Sequence, residues 1–218
     1  MIVTIDGGAG TGKSTAAKLL AAYYGISVLN TGALYRTVAL YAEWENLDVQ
    51  DERAMAQIAR RISPPQIQGK IVHVAKTDVS DVIWSLKISQ DASKVSKHPA
   101  VRVALLEPQR AMAKDMGSCI AEGRDTGTVV FPQTDHKFFF TAPAEERARR
   151  RMKDMPGSSF EDILKDIEAR DRRERSRSMA PMIPAQDATL LDTGDKTVGE
   201  ILDFMLETIE AKSRPDEI

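Results

Sequence analysis

The stretch Gly7-Gly8-Ala9-Gly10-Thr11-Gly12-Lys13-Ser14-Thr15 fits the pattern G-x-x-x-x-G-K-[ST]. Its flanks supply the context such a phosphate-binding loop needs. Ile2-Val3-Thr4-Ile5 before it is a short apolar, β-branched run that reads as a buried strand. After it, Ala16, Leu19, Leu20 and Tyr23 recur at helical spacing up to a stop at Gly25. Strand, glycine loop and helix thus come in P-loop order. Glycines let the backbone turn with its N–H groups inward, as a nest for phosphate oxygens, and the helix N-terminus adds partial positive charge. Lys13 is placed to reach the β- and γ-phosphates, and the Ser14 hydroxyl to ligate Mg²⁺. A glycine-rich turn that binds no nucleotide is the plainer reading, and the flanking context weighs against it.

The chain has 218 residues, enough for one α/β domain with small inserts, and no second independent core is expected. Thirty Lys and Arg against 32 Asp and Glu give a formal net charge of -2. That lacks the basic excess of a nucleic-acid binder, so an anionic ligand must be held by local charge. The one cysteine, Cys119, excludes an internal disulfide and a Cys-based zinc site, suits a reducing cytosol and reads as a small buried strand residue. No apolar run approaches the ~20 residues of a membrane span, and the N-terminus enters the first strand without a signal peptide. The expectation is a soluble, cytoplasmic protein. With no heptad or long apolar stripe, a monomer is expected. Only Ser213 to Ile218 reads as a disordered tail.

Ile26 to Leu29 reads as a second strand, with an amphipathic helix (Leu34, Val38, Tyr41, Ala42) just after Asn30-Thr31-Gly32. Another helix carries Met55, Ile58, Ala59 and Ile62 and is stopped by Pro64-Pro65. The period then changes. Gln66 to Asp78, with a turn signal at Gly69-Lys70, predicts a small antiparallel insert. Ser89 to Lys97 and Val101 to Met116 are helical by pattern, with Pro108 expected to kink the second. Cys119 to Ala121, His136 to Phe140 and Leu190-Leu191 complete five short strands. Pro143 falls near the first turn of a helix, Ser158-x-x-Glu161 and Thr197-x-x-Glu200 read as capping boxes, and Pro156-Gly157 breaks a charged segment. The expected fold is α/β, a five-stranded parallel sheet with helices on both faces.

The loop alone does not fix a reaction. No Asn-Lys-x-Asp guanine-reading motif is found, but arginines are dispersed through the chain: Arg36, Arg102, Arg110, Arg124 and a cluster from Arg147 to Arg177. In phosphoryl transfer such arginines offset the repulsion between donor and acceptor phosphates, and their planar fork matches phosphate. Arg149, Arg150 and Arg151 read as a solvated face. Arg170, Glu174 and Arg177 share one helix face at i, i+4, i+7, able to close over a ligand or to pair internally. Thr31 has the alternative of a helix cap, and Asp125 of an ion pair or turn cap. Tyr35 and Tyr41 read as core, and His73, His98 and His136 as isolated.

Several stretches together resemble the bacterial cytidylate kinases over nearly the whole chain. Asn30 to Arg36 is similar to "D-[ST]-G-A-x-Y-R"; Ala92 to Ser96 with Val101-Arg102 and Gln109-Arg110 resembles "A-S-x-V…V-R" and its sequel. Glu122 to Pro132 is similar to "D-G-R-D-x-G-T-V-V-F-P", and Arg170 to Arg177 with Ala180-Pro181 and Ala185 to Ala188 to "R-D-x-x-D-x-x-R-x-x-A-P-…-A-x-D-A". The resemblance implies a P-loop NTPase fold and transfer of the ATP γ-phosphoryl to CMP or dCMP with Mg²⁺. It casts Lys13, Arg124 and Arg177 as catalytic. It puts Thr31, Arg36 and Arg124 on the acceptor phosphate, Ser93, Arg102 and Asp125 on cytosine, and Arg170, Glu174 and Arg177 on the ribose. It also implies a core at about 1–32, 117–148 and 182–212, an acceptor-binding region at about 33–116 including the insert 66–78, and a lid at about 152–178. Asn30, Glu122 and Glu174 replace the usual Asp, and Trp84 replaces an Arg. Another small-molecule P-loop kinase and a nucleotide-dependent binding protein are the rival readings.

Overall fold

Val3 and Ile5 have no exposure at all, and the strand that carries them, β1 (Ile2–Gly7), lies at the centre of a five-stranded parallel sheet. The computed structural model describes residues 1–68, 71–153 and 157–213. The expected turn at Gly69-Lys70, Pro156 of the Pro156-Gly157 break and the tail beyond Ser213 lie outside the described residues. Two compact units emerge, Met1–Leu29 with Ala113–Ile218, and Asn30–Met112.

In chain order, β1 is followed by α1 (Lys13–Tyr24), β2 (Ser27–Asn30), α2 (Thr31–Trp44) and α3 (Glu52–Arg61). Then come β3 (Gln66–Gln68), β4 (Ile71–Val74), β5 (Thr77–Asp78), α4 (Leu86–Val95) and α5 (Pro99–Met116). The chain continues with β6 (Cys119–Gly123), a five-residue π-helical turn (Thr126–Val130), β7 (His136–Thr141), α6 (Ala144–Met152), α7 (Phe160–Arg175), β8 (Thr189–Asp192) and α8 (Val198–Ser213). The sheet order is β2-β6-β1-β7-β8. Ile5 lies opposite Glu122 on one side and Phe138 on the other, so the C-terminal ends of β1, β6 and β7 are level. Parallel sheets place ligands at that end.

Side-chain alternation divides the sheet's faces. Val3, Ile5, Ile120, Phe138 and Phe140 pack with Ala16, Leu20, Ile201 and Met205 of α1 and α8. Burying each phenylalanine contributes about 2–3 kcal/mol. Thr4, Asp6 and Lys137 point to the opposite face, where the π turn packs: a Cβ on Gly127 would lie 2.9 Å from Thr4 Oγ1. Leu19 and Tyr23, expected on the apolar stripe of α1, are instead exposed, while Ala16, Ala17 and Leu20 are buried. Cys119 is buried in β6, and burial pushes its thiol up to about 11.

The second unit has its own core. Leu34, Val38, Met55, Ile58, Ile83, Ile88 and Leu105 pack with Val72 and Val74, the inward residues of the antiparallel insert β3-β4-β5. Asn30, not Thr31, caps α2, accepting from Ala33 N at 3.1 Å, and Thr31 is the first helical residue. The helix cap offered as an alternative role for Thr31 is thus taken, and Asn30 serves it as well as Asp would. Helix α4 starts at Leu86, earlier than expected, because Ser85 caps it. Helix α5 continues through Pro108.

The expected box at Ser158 and Glu161 is one residue out of place. Ser159 Oγ accepts from Asp162 N at 3.1 Å and donates to Asp162 Oδ2 at 2.7 Å. Either serine precedes an acid by three; Ser159 puts Phe160, Ile163 and Ile167 on the packed side, which decides the matter. The box at Thr197 and Glu200 forms as expected. Among the described residues no helix is long and apolar enough to cross a membrane.

Candidate active site

The phosphate-binding loop leaves β1 at Gly7, whose φ is +141° and whose absent Cβ would sit 2.2 Å from the Phe140 carbonyl oxygen. No side chain fits there. Gly12, at φ +87°, turns the loop into α1. Lys13 is the first residue of that helix and is buried. Its Nζ donates to Gly8 O at 2.6 Å and to Thr11 Oγ1 at 3.3 Å. Burial foremost, with Arg124 next, lowers the Lys13 amine to about 7, against the pull of Glu122, Glu174 and Asp6. Ser14 and Thr15 are exposed at the helix start. Ser14 Oγ donates to Glu122 Oε2 at 2.6 Å, so a hydroxyl and a carboxylate from the end of β6 meet at the loop. Two hard oxygen ligands suit Mg²⁺, which also takes phosphate oxygens and water. Among the described residues no group of three or more His, Cys, Asp or Glu side chains converges to hold a metal ion alone.

Arg124, directly after β6, donates from Nε to Glu174 Oε2 at 2.5 Å and from Nη1 to Gly123 O at 3.1 Å. Glu174 also lies 3.9 Å from Arg170 Nη2, and its backbone carbonyl accepts from Arg177 Nε at 3.1 Å. Glu174, Arg170 and Arg177 are all buried. Burial pushes the Glu174 carboxyl up, but Arg124, Arg170 and Arg177 outweigh it and hold it at about 2. Arg177 lies beyond the C-cap Ser176, so the shared helical face expected for Arg170, Glu174 and Arg177 extends only to the first two. Arg170 pairs with Glu174 along that face, and Arg177 bonds the Glu174 backbone.

Asp6, one residue before Gly7, is buried and accepts from Thr126 N (2.9 Å), Thr126 Oγ1 (2.8 Å) and Gly127 N (2.8 Å). Burial raises its carboxyl to about 6 in spite of these bonds. Asp125, also buried, precedes the π turn as its N-cap residue but makes no side-chain cap bond, so the turn-cap role is not the one it fills.

In the other unit, Thr31 is buried at the start of α2. Arg36 donates from Nη1 to Ile83 O (3.1 Å) and Ser89 Oγ (2.5 Å), and its guanidinium lies 5.0 Å from the Trp84 ring centroid. Arg102 donates to Ser96 O at 3.2 Å and lies 5.4 Å from the Tyr35 ring, while Ser96 Oγ donates to Ser93 O. Ser93, Ser96 and Arg102 are thus one linked group. Arg110 pairs with Glu107 on the surface. Tyr35 is buried in the core, as expected.

Sequence reasoning named Arg147 only as the start of an arginine cluster and did not foresee its contacts. Its Nε donates to Ala142 O (3.0 Å), Nη1 to Ala9 O (3.2 Å) and Nη2 to Asp171 Oδ2 (2.7 Å). A Cβ on Gly8 would meet Arg147 Nη1 at 2.6 Å, and one on Gly10 the Arg147 carbonyl oxygen at 2.9 Å. These glycines therefore make room for an arginine. The signal was present: Arg147 lies on the α6 stripe set by Ala144 and Ala148, which pack toward α7. Arg149 is exposed as expected, but Arg150 is not a solvated residue; its Nη2 bonds Thr193 O and Gly194 O. Also unforeseen was Lys137, a buried lysine on β7 bonded to Pro132 O and Asp187 Oδ2.

A parallel α/β sheet whose central strand opens into a glycine loop ending in a buried lysine, with arginines and carboxylates gathered at the same strand ends, defines a P-loop phosphate-binding protein. The cytidylate kinase family model matches residues 3–211. The cytidylate kinase of Shewanella sediminis is 42% identical over 220 residues, spanning 97% of this chain and 95% of that protein. That of Neisseria meningitidis serogroup B is 42% identical over 214 residues, spanning 94% and 97%. A crystal structure of an uncharacterized protein from Eubacterium ventriosum shares the fold at 13% identity, with a TM-score of 0.53 over 97% of this chain and 98% of that one. The chain belongs to the cytidylate kinase family.

Proposed function

We propose that the chain transfers the γ-phosphoryl group of ATP to CMP or dCMP, giving ADP and CDP or dCDP. The observation that carries this reading is the set of buried Lys13, Arg170, Arg177 and Glu174 with partly buried Arg124 at a phosphate-binding loop, in a chain of this family. No covalent intermediate is needed; positioning and charge neutralisation supply the catalysis. The backbone of Gly7 to Thr15 holds the donor phosphates. Lys13, eased toward neutrality by burial, regains its full charge beside the arriving phosphates, because a nearby anion favours the protonated amine.

Glu174 aims Arg124, whose guanidinium joins Thr31 and Arg36 on the acceptor phosphate. Arg170, Glu174 and Arg177 serve the ribose. Asp125 can only accept and Arg102 can only donate, which suits the N4 amino group and ring acceptors of cytosine, the base that Ser93 also serves in this reading. Ser14 and Glu122 are the residues that would hold Mg²⁺, which when bound neutralises charge on the donor phosphates. The unit Asn30–Met112 forms the acceptor-binding region, and residues 152–178 act as a lid whose closure excludes water. The protein acts as a cytoplasmic monomer in this reading.

A coupled ADP-release assay over a panel of acceptors tests it. ADP formation should depend on CMP or dCMP and exceed that with UMP. Phosphate release from ATP that is indifferent to CMP, or a faster reaction with an unrelated hydroxyl acceptor, would overturn the proposal.

A further inference from the structure

The π turn Thr126–Val130 begins with backbone amides that no preceding carbonyl can satisfy within the turn. The residue in place to cap them is Asp125, and aspartate is among the best capping residues. Its side chain makes no such bond. Asp6 does so from β1, taking Thr126 N on Oδ1 and Gly127 N on Oδ2, with the Thr126 hydroxyl as a third donor. Asp6 sits in register with Gly123, the residue before Arg124. On its other side the chain passes directly into Gly7 and the phosphate-binding loop. One carboxylate therefore ties the start of that loop to the turn that presents Arg124 and Asp125.

We propose that Asp6 is a positioning residue of the phosphoryl transfer: by capping the π turn from β1 it relieves Asp125 of that duty and fixes Arg124 and Asp125 against the phosphate-binding loop. This rests on the reading of Arg124 and Asp125 as acceptor contacts. A merely structural cap has no need of a buried charge. The three donors to Asp6 are neutral, and burial holds its carboxyl above its ordinary range, so the ionised form lowers the stability of the fold instead of raising it. Single-turn π-helical segments are frequent at functional sites.

The test is Asp6→Asn in the full chain, an isosteric change that exchanges one acceptor oxygen for a donor facing a donor. We expect KM for CMP to rise about tenfold and the CMP-over-UMP ratio of kcat/KM to narrow. Equilibrium ATP binding should stay within about twofold, and the thermal midpoint at pH 7 should be unchanged or higher. Thr126→Val, which removes only the hydroxyl donor, should shift KM for CMP the same way by about twofold to fivefold, and it decides the matter if Asp6→Asn does not fold. Asp125→Asn separates the two readings. If Asp125→Asn narrows the base preference while Asp6→Asn alters neither that preference nor KM for CMP, the positioning role is refuted and the base reading stands. If Asp125→Asn leaves the preference unchanged, the base reading fails, and Asp6 is judged by KM for CMP through Arg124 alone. A fallen thermal midpoint in Asp6→Asn with unaltered KM at permissive temperature would make Asp6 a residue of the fold only.

Discussion

Asp6 and Glu174 are both buried carboxylates near Lys13, and their surroundings differ in one respect. Asp6 is met by two backbone amides and a hydroxyl, Glu174 by guanidinium groups. Removal from water penalises both. Three neutral hydrogen bonds fall short of that penalty, and the Asp6 carboxyl rises to about 6. Against Glu174, burial is outweighed by Arg124, then Arg170, and the carboxyl falls to about 2. Neutral dipoles can aim a turn at the expense of stability, whereas opposite charges gather cations that would otherwise repel one another. The end of β1 is thus built for geometry, and the end of α7 for charge.

Lys13 couples to both carboxylates, and its loss should have the largest effect. Lys13→Ala is expected to lower kcat by about a hundredfold or more with the fold intact, since the amine meets charge that develops in transfer. Near-normal turnover at saturating ATP would remove the functional meaning of the contrast.

Next in size is Glu174→Gln, which removes the buried charge facing Arg124, Arg170 and Arg177 and should cost about 3 kcal/mol in urea unfolding at pH 7. Asp6→Asn should cost nothing in the same experiment. Equal losses would break the comparison.

The dependence on pH sharpens it further. Glu174, lowered from 4.5 to about 2, contributes stability that is full above pH 4.5 and lost as pH falls toward 2. Asp6, raised from 3.8 to about 6, has the opposite sign: its unfavourable contribution above pH 6 is relieved as pH falls toward 3.8. Urea midpoints between pH 7 and pH 3 should show a gain from Asp6 above pH 4.5, absent in Asp6→Asn, and a loss from Glu174 below it, absent in Glu174→Gln. Each shift of about two pK units corresponds to a contribution on the order of 2–3 kcal/mol.

A third buried carboxylate, Asp171, has one oxygen on Arg147, and the other, Oδ1, has no hydrogen-bond partner among the described residues. Arg147→Ala should weaken ATP binding about tenfold in calorimetric titration, because the loop at Ala9 loses its guanidinium support. The smallest effect belongs to Arg149→Ala on the exposed side of the same helix, where both ATP affinity and unfolding midpoint should match the parent chain.

Elements with a local cause were legible in the sequence. The order of strands and helices, the glycine loop, the insert with Val72 and Val74 inward, and the Thr197 box all follow from spacing within a few residues. The pairings that escaped notice act over long separations. Asp6 caps a turn 120 positions later, Arg147 reaches back to Ala9, and Ser14 reaches Glu122. Register between β1 and β6 and the packing of α6 make those pairings, and no local pattern names the partner. The serine box failed for another reason: two adjacent serines each faced an acid at the right distance, and only packing against Ala148 separated them.

Cys119, the single cysteine of the chain, lies in β6 with no solvent exposure and with its thiol pushed up to about 11. Thiolate, not thiol, attacks a maleimide, so the folded protein offers such a reagent almost nothing. The chain is in effect already prepared for single-site labelling. A cysteine placed at exposed Lys165 on α7 would take up a dye or spin probe alone, and the proposed lid role of this helix could be tested without first removing a native thiol.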